Sequence, residues 1–306
     1  MSPDNPAPFL ARPPLTTQDV LSKTDYFVDV QSWPLHSELD PAAWLENFVD
    51  SEKQHAIYLL NAFMYFSPTL VNRMFMAAFQ SLSTGLYTPG DSFLNLQAKW
   101  RVFVDTVTIT YVTGEIPNPT DSGLSFARKA RQEIGIDEAR IMAPDDAVRL
   151  LVRRPGPVVF VDDFVGSGNQ FITTWQRQVR LPTGSYVSFE RLCAIQGAAF
   201  YYCPLLCTEY GYQRLRAACS AVQINPAHIL SHRYSALATD SVIWPPHLQP
   251  TAVNFVREAS SRAGISDWQG FHGLGLAVAL GDTVPDATLP IFYSKENGWR
   301  PLMERK

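Results

Sequence analysis

Residues 158–171, VVFVDDFVGSGNQF, set two adjacent carboxylates between an apolar run and a small-residue loop. Val158 to Val161 predict a buried strand of a parallel sheet, because such strands are apolar on both faces. Asp162 and Asp163 then stand at its carboxyl end, the edge where open α/β sheets bind ligands. Gly166, Ser167 and Gly168 predict a tight turn, with Phe171 and Ile172 beginning a helix. Glycines let backbone N–H groups approach an anion closely. The helix N-terminus adds partial positive charge, and Ser167 and Asn169 can donate side-chain hydrogen bonds. A bound phosphate would repel two carboxylates beside it. The acids are therefore expected to face sugar hydroxyls, or to meet magnesium indirectly or weakly, one ring away. Together these features point to a phosphorylated ribose.

The chain contains its own comparison. Asp145-Asp146 follows Pro144, with no strand before it and no glycine loop after it, and is expected only to cap a helix. Other chemistries fit less well. An ATPase reading of the acidic strand needs a G-x-x-x-x-G-K-[ST] loop, which is absent. A nucleophile elbow needs G-x-S-x-G around Ser167, but Val165 occupies the first glycine position. Cys203, Cys207, His228 and His232 have spacings open to zinc, yet the cysteines lie in the apolar run FYYCPLLC and read as buried thiols. Tyr201, Tyr202, Tyr210 and Tyr212 are expected to pack in or at the edge of the core. Arg128, Lys129 and Arg131 fit either a solvated helix face or counter-charges for pyrophosphate.

The elements that must position the loop follow from the flanking pattern. Asp40-Pro41, Ser51 with Gln54, and Ser67-Pro68 predict three helix starts, the second as a capping box. Gly85 is expected to cap the third helix. Trp100 to Val112 is β-branched and apolar and predicts a strand. Helices are expected over 121–134, from Pro144 to Leu151, over 210–221 and over 249–263. Further strands or buried segments are expected over 186–196, 198–207 and 224–231. Alternating strands and helices from 91 to 235 predict a mostly parallel sheet covered on both faces. The expected organisation is an irregular arm over 1–39, a helical region over 40–90, an α/β core over 91–235 and a C-terminal extension over 236–306 packed on that core.

With 306 residues, 46% hydrophobic and 18% charged, the chain has the composition of a globular protein with a large core. A net charge of −4 provides no global basic field for nucleic acid. No apolar run approaches the roughly 18 to 20 residues of a membrane span. The Pro- and Ala-rich start lacks the pattern of a secretory signal. Four cysteines without such a signal lead to an expectation of free thiols and a cytoplasmic location.

The central motif resembles that of the phosphoribosyltransferase (PRTase) family: an apolar strand, two acids, two apolar residues and a phosphate loop. The resemblance implies that Asp162 and Asp163 contact ribose hydroxyls and that Gly166, Ser167, Gly168, Asn169 and Gln170 bind the 5-phosphate. It also implies that Thr120, Asp121, Ser122 and Gly123, in TDSGLSFARKARQEIGI, receive pyrophosphate. WLENF, VDDFVGSG and LGLAVALGDTVPDATLPIFYSKENGWRPL are similar to the PRTase-like proteins of bacterial conflict, or anti-phage, systems. That resemblance implies a type I-like PRTase fold with an N-terminal helical region and a C-terminal extension. It further implies Mg2+, a ligand such as phosphoribosyl pyrophosphate (PRPP) or a nucleotide, and defence-system protein partners. Gly166 stands where purine-salvage members often carry an acid, and Gln170 where Thr or Ser usually closes the loop. Glycosyl transfer, nucleotide-depleting cleavage, and ribose-phosphate sensing without chemistry all remain open on these residues, as does a role as subunit of a larger assembly.

Overall fold

The computed structural model describes residues 14–113, 122–281 and 283–305. The first helix, α1 (Thr17–Asp29), opens with a reciprocal cap: Thr16 Oγ1 accepts from the Asp19 amide and Asp19 accepts from the Thr16 amide. A helix thus occupies part of the segment expected to be irregular. Its cap compensates for a sparse apolar face, on which only Val20 and Thr24 are buried.

Helix α2 (Pro41–Leu45) starts as expected, with Asp40 accepting from the Ala43 amide at 2.9 Å. Helix α3 (Lys53–Asn61) does not use the expected capping box. Glu52 is its cap residue, and both terminal nitrogens of the Arg262 guanidinium donate to the Glu52 carboxylate at 2.5 Å. Strand β1 (Met64–Phe66) leads to α4 (Pro68–Ser81), which Ser67 caps through the Leu70 amide at 3.4 Å. Gly85 lies inside the 3-10 turn Leu82–Leu86 and does not cap the helix.

Helix α5 (Phe93–Thr106) corrects the strand expected over 100–112, of which only β2 (Thr108–Tyr111) is extended. Ser92 caps α5 at the Asn95 amide, and Trp100 and Phe103 pack against Phe79 of α4. Tertiary packing on this one face outweighs the β-propensity of Val102 and Val104. Helix α6 (Ser122–Lys129) runs into a wider turn, Ala130–Ile134, ended by Gly135 at φ 81°. In α7 (Pro144–Arg153) the residue before the proline provides no side-chain cap. Asp145 and Asp146 instead lie in the first turn, where they favour the helix dipole and pair with Arg149.

The central strand β3 (Val158–Val165) is followed by α8 (Asn169–Gln176), the hairpin β4 (Val179–Arg180) and β5 (Tyr186–Val187), and α9 (Phe189–Gln196). Residues 189–196, expected as strand or buried segment, are therefore helical, capped by Ser188 at the Arg191 amide. Strand β6 (Phe200–Thr208), α10 (Glu209–Ala218), β7 (Val222–Ile224) and β8 (His228–Leu230) complete the sheet. Helix α11 (Ala252–Arg262) and β9 (Val278–Leu280) follow.

The sheet is parallel throughout, in the order β2-β3-β6-β7, with β8 pairing the far end of β6. Helices cover both faces, as expected of an α/β fold. Val159 and Val161 face a core with Phe75 and Phe79 of α4 and Phe103 of α5, while Val158 and Phe160 face Phe171, Trp175 and Phe189 of α8 and α9. This period of two is that of a strand buried on both sides. A third core joins α1 to α3 with the C-terminal segment. Trp44 stacks on Phe292, and Trp44 and Trp299 both donate their indole N–H to the Ile291 carbonyl at 2.8 Å. Strand β1 pairs β9 in parallel, linking the same two regions through the backbone. No helix among the described residues is long and apolar enough to cross a membrane.

Candidate active site

Strand β3 outruns β2. Their pairing ends at Tyr111 opposite Val161, whereas β3 pairs β6 as far as Val165 opposite Cys207. The acids expected just past the strand thus lie within it, held by β6 on one side and beyond β2 on the other. Asp162 is 5% exposed. Tyr202 of β6, the register partner of Phe160, donates its hydroxyl to Asp162 Oδ2 at 2.7 Å, and the Asp163 amide donates to Oδ1 at 3.0 Å. Phe171 stacks on the Tyr202 ring at 4.1 Å and closes the apolar side. Burial, and then the neighbouring Asp163 charge, push the Asp162 carboxyl well above the usual carboxylate range. The hydrogen bonds from Tyr202 and the Asp163 amide oppose that shift. Asp163 is half-buried.

The loop after β3 is held by its carbonyls. Thr208 donates its hydroxyl to the Gly166 carbonyl and accepts from the Gly211 amide at 2.9 Å, capping α10. Arg214 donates to the Ser167 carbonyl at 2.8 Å. Gly168 takes the left-handed conformation at φ 78°, and a Cβ there would lie 2.9 Å from Leu215 Cγ. The first backbone bond of α8 runs from the Ile172 amide to the Gly168 carbonyl, so the amides of Asn169, Gln170 and Phe171 precede the intrahelical ladder. A fixed loop with helix-terminal amides is a ready anion site.

Thr208 and Gly211 are functional positions that the sequence reading missed. A Cβ at Gly211 would come 2.4 Å from the Gly166 carbonyl oxygen, so only glycine lets α10 approach the loop this closely. A lone glycine inside the helical pattern EYGYQRL was the available signal. Replacing Thr208 with valine keeps the shape but strands a half-buried carbonyl and a buried amide. It is expected to cost about 1–3 kcal/mol in urea unfolding.

Asp162, Asp163 and Gly166 to Gln170 line one cleft of about 630 Å3. The C-terminal segment forms its opposite wall through Phe271, residues 283–287 and Arg305. Leu274 and Ala287 of that segment lie 3.4 and 3.9 Å from the position a Cβ would take at Gly166. Asn169 Nδ2 lies 3.4 Å from Nε2 of His272, a residue with φ 56°.

The family model PRTase-CE matches residues 41–305. The chain belongs to the PRTase-CE family. It is a phosphoribosyltransferase-like protein, and both walls of the cleft fall within the matched span. No curated protein and no solved structure matches the chain.

Of the other positions read from the sequence, Thr120 and Asp121 lie outside the described residues. Ser122 and Gly123 open α6, which packs against β2 and β3. Lys129 is bonded to Asn72 of α4, and Arg131 pairs with Glu138 at 2.8 Å. Cys203 and Cys207 are free thiols buried in β6, where burial pushes Cys207 up to about 12. The exposed His232 instead contacts Glu209 and Asp240.

The donor set bears on magnesium. Both oxygens of Asp162 are already hydrogen-bonded in a buried site, and no group of three or more His, Cys, Asp or Glu among the described residues is arranged to hold a metal. Mg2+ keeps several waters and binds through one or two carboxylates plus ligand phosphates. The half-buried Asp163 therefore fits an ion that arrives with a phosphorylated ligand, and no resident cage is present among these residues.

Proposed function

We propose that the cleft binds the ribose 5-phosphate moiety of PRPP or of a nucleotide, and that the chain catalyses departure of the group on the anomeric carbon. The observation that carries this reading is the left-handed Gly168, which turns β3 into α8 directly beside the acid pair. The amides of Asn169, Gln170 and Phe171 take the 5-phosphate. Asp163, backed by Asp162, orients the ribose hydroxyls. Thr120 to Gly123 contribute to holding pyrophosphate, as the motif implies.

Heterolysis of the anomeric bond leaves its electron pair on the departing group and positive charge on the ring. The nearby carboxylate stabilises that charge without forming a bond. Mg2+, bound with the ligand's phosphates, supplies neutralisation of a leaving pyrophosphate. A base as acceptor completes phosphoribosyl transfer; water as acceptor gives ribose 5-phosphate. In bacterial anti-phage defence, the second outcome would deplete a cytoplasmic nucleotide pool, with defence-system proteins as partners.

One observation favours a sensor without chemistry. Gly166 supplies no side chain where an acid that handles a base proton would stand, and Phe164, Leu274 and Ala287 border that position at 3.3, 3.4 and 3.9 Å. A single experiment separates the readings. The purified chain is mixed with Mg2+ and PRPP or a nucleotide panel, and pyrophosphate, free base and ribose 5-phosphate are followed beside thermal unfolding. A ligand at 100 times its Kd is expected to stabilise the protein by about 2.7 kcal/mol. Turnover supports the enzyme, and stabilisation without turnover supports the sensor. Neither response from any ligand sinks the ribose-phosphate reading.

A further inference from the structure

The cleft's charges are unbalanced. Among its described lining residues Asp162, Asp163 and Asp286 carry carboxyl groups, and Arg305 alone carries a positive charge. A cleft of about 630 Å3 has room for more than one phosphate. The amides at the start of α8 serve one anion on the loop wall. Arg305 lines the same cleft from the C-terminal segment, so the two anion-attracting features come from different parts of the chain.

Arg305 is held lightly. Its guanidinium is ion-paired with Asp286 and lies 5.2 Å from the Tyr293 ring centroid. The paired side chains are 41% and 60% exposed, so their attraction is screened and worth about fivefold at most in an equilibrium. The backbone on both sides is anchored. The Phe271 amide donates to the Asp286 carbonyl at 2.8 Å, and Met303, two residues before Arg305, bridges to Leu39. A weak pair on a fixed frame can exchange partners without moving the wall. The planar guanidinium fork also matches phosphate oxygens two at a time.

We propose that Arg305 is a second anion anchor, which leaves Asp286 to bind a phosphate group on the ligand other than the one held by the Gly166–Gln170 loop. This inference rests on the ribose-phosphate reading and narrows it. The preferred ligand class is a ribose 5-phosphate bearing a second phosphate or diphosphate, in preference to one with a single phosphate. Asp286 sets the threshold by competing for the guanidinium.

Calorimetric titration of the full chain with PRPP and with ribose 5-phosphate, both in magnesium buffer, tests this. Arg305→Gln is expected to weaken PRPP binding by about 10- to 100-fold and to change ribose 5-phosphate binding by no more than about twofold. Arg305→Lys keeps the charge but loses the fork, and is expected to fall between. Asp286→Asn is expected to tighten PRPP binding a few-fold, and that gain vanishes in the Arg305→Gln background if Asp286 acts by holding Arg305. Unchanged melting temperatures show that the variants are folded. Equal losses for both ligands, or no loss for PRPP, overturn the proposal and leave the ribose-phosphate reading standing. So does a wild-type chain that binds ribose 5-phosphate but not PRPP. A wild-type chain that binds no phosphorylated ribose overturns both.

Discussion

Gly168→Val is expected to lose measurable binding of any ribose phosphate and to destabilise the protein by about 2–5 kcal/mol. Two costs add. A β-branched residue at φ 78° bears the left-handed penalty of about 1–2 kcal/mol, and its Cβ meets Leu215 at 2.9 and 3.0 Å, an overpacking cost of about 1–3 kcal/mol. The chain supplies a control in Gly184, at φ 87° between β4 and β5, where a Cβ meets nothing within 4 Å. Gly184→Val is expected to cost about 1–2 kcal/mol and leave binding intact. Urea unfolding and calorimetric titration of the two variants separate strain from clash. The binding loss has its own cause: relieving the clash with Leu215 moves Gly168 and re-aims the amides of Asn169, Gln170 and Phe171. Full binding by a folded Gly168→Val protein would show that these amides do not hold the ligand.

Asp162→Asn is expected to stabilise the free protein and impair its site, two effects of opposite sign. The folded state raises the Asp162 carboxyl pKa, so the native protein binds its proton more tightly than the unfolded chain. The sign follows from proton linkage. This contribution to stability is fully present below the unfolded carboxyl value, near 3.9, and is lost as pH rises through the folded value. The wild-type chain therefore loses stability relative to Asp162→Asn as pH increases. At pH 8 the variant is expected to lead by about 1–3 kcal/mol, since it removes a buried charge. The amide keeps both contacts with one reversed: its oxygen accepts from the Asp163 amide, while its nitrogen donates to the Tyr202 oxygen, which retains its proton because burial raises its own pKa.

Turnover is the second readout. Asp163→Asn removes the carboxylate beside the ribose and is expected to reduce it by about 100-fold or more; Asp162→Asn removes the acid that backs Asp163 and is expected to lower it in the same direction. Asp163→Asn removes the charge that repels Asp162, so its stability lead also grows with pH, by the smaller, Coulombic part of the shift. Melting temperatures from pH 5 to pH 8.5 for the wild type and both variants check this. A lead that shrinks with rising pH contradicts a buried Asp162 whose carboxyl is raised above the usual range. A gain in stability with a loss of function is the trade expected of a strained site residue.

What could be read along the chain was local. An apolar run, two acids and small residues announced the strand, the turn and the helix behind it, because each depends on neighbours a few positions away. Proline at the first helical position marked α2, α4 and α7 for the same reason. The alternation of elements also led to the parallel α/β fold. Local pattern misled where packing outweighed propensity. Residues 100–106 are β-branched and apolar, yet they are helical because Trp100 and Phe103 meet Phe79 across α4.

The residues that turn the motif into a site come from far along the chain. Tyr202 reaches Asp162 from β6, Thr208 latches the loop, and Gly211 lets α10 approach it, each about forty residues from its partner. The opposite wall is more distant still. Residues 283–287 and Arg305 share a cleft with the phosphate loop because β1 pairs β9 and because Trp44 donates to the Ile291 carbonyl, contacts that span more than two hundred residues. Periodicity and turn chemistry carry no record of such pairings; they arise only when buried surfaces find one another. The sequence by itself determined that residues 158–171 present a glycine loop beside two acids. The tertiary structure decided that Asp162 is buried against Tyr202, which pushes its carboxyl above the usual range, that Gly166 borders Leu274 and Ala287, and that the cleft's one described cation is Arg305.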